Sequence, residues 1–587
     1  MFNINNAMET MYTVERNAQI LIYLLKKSNI RKIIISPGTS NVCFAGSIIN
    51  DPFFEKYSAV DERSAAYMAC GLSAESGEPV VLSCTGATSS RNYLPALTEA
   101  YYRKLPILTV TSSQRSIRIG HNIDQVTDRT LLPRDAAKLS VQMPCVFDNE
   151  MEWACMIAAN KAILELSRDG SGPVHINLET SINGNFSVKE LPEARQILRY
   201  NNNSIFPPIV KGKIAILVGN HKVWSEQLTK LVDSFCKQYN AIVICDHTSN
   251  YMGNYKIIGN FLLSQKGYDS LLNEFDLIIH LGDISACKYK IKTKQIWRVN
   301  PDGEIRDTYK KLTKVFACDE DIFFRNYISE QTHDKSEGFF QSCKKEYENL
   351  IERIPELPLS NIWLSKVTSP LLPPQSVLHF AIRNSFRSWN FYDIPKGVRA
   401  YCNTGGFGID GCMSSMIGAS LCNADIIYYC IIGDLAFFYD MNVLGNRHVS
   451  NNVRILLVNN GKAMEMSFSS NMTSQFEDGI TNHSFMAAQG HFGAQSQYLV
   501  KNYVTDLGFD YYPVKTKDDY LAVLPKFTDN HISEKPIFVE VFTNSSDEQL
   551  ALDLMTKSNM SSTSELKDEL LSQARKLGIN KITRIFK

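Results

Sequence analysis

The stretch GDLAFFYDMNVLGNRHVSNNVRILLVNN, Gly433 to Asn460, decides the reading of this chain. It starts at the end of one apolar run, IIYYCIIGD, and closes with a second, VRILLVNN; a short helical segment lies between them. Strand, crossover helix and strand in this order make two adjacent parallel strands. Their carboxyl ends, Asp434 and Asn460, then fall within several Å of one another. A carboxylate oxygen, an amide oxygen and a backbone carbonyl converging there form a hard half-shell. Such a shell suits Mg²⁺, which keeps further positions for water and phosphate oxygens. On this spacing alone, two plain turns account for the same residues.

Working outward, the same alternation of apolar runs and amphipathic segments recurs in three blocks. The pattern predicts an α/β chain of three doubly wound parallel-sheet domains, 1–190, 191–355 and 356–587. The first block holds RKIIISPGTS, PVVLSCTG, LPILTVTSS and GPVHINLE. The second holds KIAILVGN, AIVICDH, DLIIHLGD and IWRVNPDGE. The third holds RAYCNTGG, DIIYYCIIGD, VRILLVNN and PIFVEVFTN. The helical run FFQSCKKEYENLIERI leads into the third block, and the tail STSELKDELLSQARKLGINKITRIFK reads as a charged docking or capping helix.

A net charge of zero gives no global field for nucleic acid or anionic lipid. No apolar run reaches the roughly 18 residues of a membrane span, and the N-terminal residues lack an apolar signal core. The 14 cysteines are scattered without a CxxC pair, as expected of reduced core thiols in a cytoplasmic protein.

Parallel sheets bind ligands beyond the carboxyl ends of their strands. In the first block those places read SPGTSN, SAVDERSAAY, CTGATSSRNY and SSQRSIRIGHNIDQ. In the third they read NTGGFGIDG, GDLAFFYD and NNGKAMEM. Glycine-lightened backbone N–H groups beside a metal shell read as a diphosphate site. The middle block offers only VGNHKVW and LGDISA, without a GxGxxG fingerprint, so a structural domain without flavin is expected there.

Gly433-Asp434 followed about twenty-five residues later by Asn459-Asn460 resembles the thiamine diphosphate (ThDP) signature of the decarboxylase and acetohydroxyacid synthase superfamily. The third residue, usually Gly, is Leu435, as in the menaquinone-pathway ThDP synthases. The similarity extends through SPGTSN, DERSAAYMACGLSAESG, CTGATSSRNYLPALTEAYYRKLPILTVTSSQ, GPVHINLE, GGFGIDGCMSS and GDLAFFYDMNVL. It implies that Asp434, Asn460 and the Lys462 carbonyl hold Mg²⁺. It implies that the diphosphate lies against Gly405, Gly408, Gly433 and the Leu435 amide, with Ala436 where many relatives carry a phosphate-touching Ser. Met464 or Met466 would support the bent cofactor.

The resemblance makes Glu62 the acid that hydrogen-bonds the pyrimidine ring and promotes loss of the thiazolium proton, and such a role calls for burial and a raised pKa. Thr88, Asn92 and Gln125 match polar positions on the reaction side, and His121 is a candidate proton donor in a loop where a solvated histidine is the plainer reading. In the family the acid and the metal ligands come from different subunits, so a homo-oligomer, dimer or tetramer, with active sites at its interface is implied.

The menaquinone synthases clamp dicarboxylic substrates with arginines in SPGSRS and NRGASGIDG loops. Here Ser40 and Thr404 stand at those positions, and neither hydroxyl replaces a bidentate guanidinium. Arg115, Arg118 and Lys462 remain as candidate anion contacts, with surface placement the plainer reading for each. The implied activity is decarboxylation of a 2-oxo acid, pyruvate by default, with transfer of the acyl carbanion to an uncharged carbonyl acceptor such as an aldehyde, a keto sugar or a second 2-oxo acid. A non-ligating decarboxylase and a cofactor-bound but silent subunit are the alternatives.

Overall fold

In the computed structural model the described residues are 10–287, 289–328, 338–476, 480–490 and 496–559. The expected C-terminal helix lies outside them. The chain forms two compact units, residues 1–204 with 303–317, and residues 205–302 with 318–587.

The first unit is built on six parallel strands. Across the sheet they run Glu55–Ser58, Lys32–Ile35, Val80–Thr85, Ile107–Ser113, Val174–Glu179 and Leu139–Met143. Both faces are covered. Ile33, Val81, Leu108, Val110 and Ile176 pack on one side, and Ile34, Val80, Leu82, Cys84 and Ile107 on the other. This is why the central strands read as unbroken apolar runs. The strands Leu198–Asn201 and Leu312–Ala317 pair in parallel within the same unit.

The second unit carries two sheets. The one nearer the C-terminus runs Arg399–Cys402, Val377–Phe380, Tyr428–Gly433, Val453–Asn459, Ile537–Phe542 and Asp510–Val514. Its strand order is that of the first unit's sheet: the chain starts near the middle, steps one way, then returns and builds the other way. In both sheets the reversal falls between the first and third strands, whose following loops lie where open parallel sheets bind ligands. Those loops are Ser36–Asn41 and Gly86–Thr88 in one sheet, and Ala381–Arg383 and Gly433–Asp434 in the other.

The other sheet of this unit contains Lys256–Ile258, Ile242–Cys245, Ile214–Val218, Glu274–Leu281 and Lys292–Val299, all parallel. At its reversal the two backbones abut. The Asp283 N–H donates to the Asn220 carbonyl at 2.7 Å, and a Cβ on Gly219 would strike the Asp283 carbonyl. Beyond that point the sheet holds its neighbour in the same unit. Asn250 pairs with the Ala400 backbone in both directions, at 2.9 and 3.2 Å, and the His247 N–H donates to Asn390 Oδ1 at 2.8 Å.

No described helix is long and apolar enough to cross a membrane. All 14 cysteines are free, and all but Cys422 are buried.

Candidate active site

In the first unit, Asp61 caps the helix Glu62–Ser76, accepting the Arg63 N–H at 3.1 Å and the Ser64 hydroxyl at 2.7 Å. Glu62 is therefore fixed as the first helical residue, its side chain turned toward the short helix Thr88–Asn92. Its Oε2 accepts Asn92 Nδ2 at 3.1 Å. The expected rise in its pKa is not found. Partial burial pushes the carboxyl up, but hydrogen bonds from Ser89 and Asn92 outweigh that and hold it below the ordinary value. Glu62 is only half-buried in the single chain, so water still stabilises its charge. Ser89, the second donor, escaped the sequence reading because it lies one turn from Asn92 inside an ordinary TSS run.

Thr88, Asn92, His121 and Gln125 are all exposed. Ala87, just before Thr88, takes a left-handed φ of 57° with ψ −131°. Beneath that turn the Arg129 guanidinium fills the space a Gly86 side chain would need. Arg115 lies over the Phe147 ring at 5.4 Å, and Arg118 bonds Gln114. Ser40 turns inward and donates to the Ser112 carbonyl at 2.9 Å.

In the second unit the opening stretch folds as its pattern implies. Strand Tyr428–Gly433 lies beside Val453–Asn459, and the helix Asp434–Asp440 starts directly after Gly433. Asp434 is 6% exposed. Its Oδ1 accepts the Leu435 N–H at 2.8 Å and its Oδ2 the Gly461 N–H at 2.6 Å, which ties the carboxylate to the Asn460–Lys462 turn. Burial pushes this carboxyl up to about 6, with only backbone N–H groups pulling it back. Asn460 Oδ1 accepts the Lys462 N–H at 3.3 Å. Asn459 instead points into the sheet and donates to Glu540 at 2.7 Å, so the Asn pair divides between a structural and a site-facing residue. Buried carboxylate, site-facing amide and adjacent carbonyl fit a hard divalent cation. Among the described residues no three His, Cys, Asp or Glu side chains gather as an alternative metal centre.

Gly433 does not need glycine's freedom: its φ is −87° and ψ 161°. What the residue contributes is a missing side chain. A Cβ on Gly433, Gly405 or Gly406 would meet nothing within 4 Å, leaving room for a ligand to approach the backbone, whereas on Gly408 it would strike Asp410. Ala436 is buried at 7% exposure and offers no hydroxyl. Met464 is buried at 4% whereas Met466 is 38% exposed. Thr404 is also buried; its Oγ1 accepts Asn220 Nδ2 at 3.0 Å.

Residues 16–132 match the family model of the thiamine pyrophosphate enzyme N-terminal TPP binding domain. The chain is 30% identical over 556 residues to the 2-succinyl-5-enolpyruvyl-6-hydroxy-3-cyclohexene-1-carboxylate synthase of Bacteroides fragilis, covering 91% of this chain and 97% of the relative. The synthases of the same name from Bacteroides thetaiotaomicron (29% over 557 residues; 91% and 97%) and Flavobacterium psychrophilum (25% over 559; 90% and 96%) are also similar. The chain belongs to the family of thiamine diphosphate enzymes that these synthases represent, and ThDP is its cofactor.

Proposed function

We propose that this enzyme decarboxylates a 2-oxo acid, with pyruvate as the default donor, and transfers the acyl unit to a carbonyl acceptor other than that of its named relatives. The observation that carries this reading is the inward turn of both Ser40 and Thr404, each engaged in a hydrogen bond within the fold. Neither can meet a substrate carboxylate where the related synthases present arginine.

Bound ThDP supplies a nucleophilic carbon that adds to the 2-oxo group and stabilises the charge left when CO₂ departs. Glu62 holds a proton at the pyrimidine nitrogen, with Asn92 and Ser89 fixing its carboxyl. Asp434, Asn460 and the Lys462 carbonyl hold Mg²⁺. The Leu435 amide and the open backbone at Gly405 and Gly433 receive the diphosphate, and Met464 supports the cofactor's bend. Gln125 and His121 lie on the reaction side, His121 without a required proton-transfer role.

The chain is assigned a pyrimidine-binding domain at 1–190, a structural domain at 191–355 and a diphosphate-binding domain at 356–587. Glu62 of one copy then serves the metal site of another in a homodimer or homotetramer, where a second copy would cover Glu62 and raise its pKa. The test is circular dichroism on adding ThDP and Mg²⁺, followed by CO₂ release from a panel of 2-oxo acids and mass spectrometry of products formed with candidate acceptors. Cofactor binding without CO₂ from any donor would overturn the reading, and aldehyde as sole product would replace transfer by simple decarboxylation.

A further inference from the structure

Arg383 stands at the reversal point of the C-terminal sheet, in the loop after strand Val377–Phe380 and across from Gly433–Asp434. Its backbone takes φ 70° and ψ −116°, a region that non-glycine residues enter only when the surroundings impose it. Its guanidinium lies over the ring of Phe407, 5.1 Å from the centroid. Phe407 belongs to the NTGGFG loop and also has a positive φ, 57°. Two non-glycine residues with positive φ thus meet at the sheet's reversal point, a pattern concentrated at ligand sites.

The partners of the nearby cations differ. Arg387, one turn on, is already neutralised by Glu465 at 2.9 Å and stacked on Phe468 at 4.7 Å. Arg383 is exposed, and no described carboxylate pairs with it. Stacking on a ring fixes the plane of a guanidinium while leaving its N–H fork free. The adjacent Gly405 and Gly406 face open space. The loop itself is pinned from behind, by Asn220 on Thr404.

We propose that Arg383 is the substrate-reading cation of this site, holding a single anionic group, carboxylate or phosphate, on the acceptor or on the far end of the donor. The guanidinium lost at position 404 is thereby supplied from the neighbouring strand's loop, at a different angle. This rests on the carboligase reading and refines it, from an acceptor without charge to a substrate with one anionic group beyond the carboxylate that leaves.

The test uses protein loaded with ThDP and Mg²⁺, so that the diphosphate site is filled, with loading verified for each variant by circular dichroism. Calorimetric titration at low ionic strength with malonate and with methyl phosphate should show binding of at least one. Arg383→Gln should weaken it about 10- to 100-fold, the usual span for a charge-assisted contact, and Arg383→Lys should restore part. Arg383→Gly should lose binding equally while unfolding at the same temperature or higher, because glycine relieves the strained φ; a purely structural arginine would lower that temperature. Neither anion binding the wild-type protein, or Arg383→Gln binding as tightly as wild type, overturns the proposal. Failure of loading itself would instead strike the cofactor reading. Comparing KM for pyruvate and 2-oxoglutarate in CO₂ release then locates the anion: a rise confined to 2-oxoglutarate in Arg383→Gln places it on the donor, and no rise for either places it on the acceptor.

Discussion

Glu548 offers a quantitative check on the second unit. It lies in the helix Ser545–Thr556 and is 1% exposed. Its Oε1 accepts both the Asn361 N–H and the Thr543 hydroxyl at 3.0 Å. Burial raises its pKa from 4.5 to about 7, against these hydrogen bonds and the attraction of Arg387. A carboxyl whose folded pKa exceeds its unfolded value destabilises the fold once ionised. The penalty is absent below the unfolded pKa, grows as pH rises through the window between the two values, and is complete above the folded one. At about 1.36 kcal/mol per pH unit it reaches about 3 kcal/mol.

Glu548→Gln keeps Oε1 and its two donors while removing the charge. The new amide N–H₂ adds an offset of about 1 kcal/mol of either sign that does not vary with pH. Urea unfolding of the cofactor-free protein, followed by intrinsic fluorescence to which Trp389 contributes through its bond to Asn361 Oδ1 (3.0 Å), gives the stability gap between the two proteins. Glutamine should gain on glutamate by about 2.5 kcal/mol between pH 5 and 8.5. A gap constant within about 0.5 kcal/mol over that range would refute the reasoning, whatever its absolute size.

Other outcomes bear on the site itself. Glu62→Gln should leave ThDP binding within about threefold and slow hydrogen–deuterium exchange at the reactive thiazolium carbon by about 10²–10⁴-fold, followed by NMR. Asp434→Ala should abolish the circular dichroism change on adding Mg²⁺ and ThDP, and EDTA should release cofactor from the wild type; retention in either case would move the metal site elsewhere. His121→Ala should reduce CO₂ release less than about threefold, and a loss beyond a hundredfold would favour the simple decarboxylase. Asn220→Ala frees Thr404 behind the glycine loop and should weaken ThDP binding about 5- to 10-fold in a direct titration, roughly one buried hydrogen bond.

Central strands were legible because burial on both faces leaves unbroken apolar runs, as in IIYYCIIGD and VRILLVNN. The edge strands Glu55–Ser58, Leu139–Met143 and Asp510–Val514 were not, because one-sided burial admits polar residues and even Pro513. Position in the site followed from strand ends, so Asp434 and the Asn460 turn meet as their spacing implied. Their surroundings did not follow. The lowered pKa of Glu62 depends on Ser89 and Asn92, some thirty residues away in sequence. Arg383 gave no signal, since its meaning comes from a backbone angle and from a ring on another strand's loop.

The inward turn of Ser40 and Thr404 also bears on what an arginine at either position would cost. Placing arginine at position 404 would strand the Asn220 amide, and at position 40 it would strip a bond from the Ser112 carbonyl. Arg383 would still hold its own charge beside the newcomer. An arginine at either position would therefore have to displace a bond the fold already uses before it could reach a substrate.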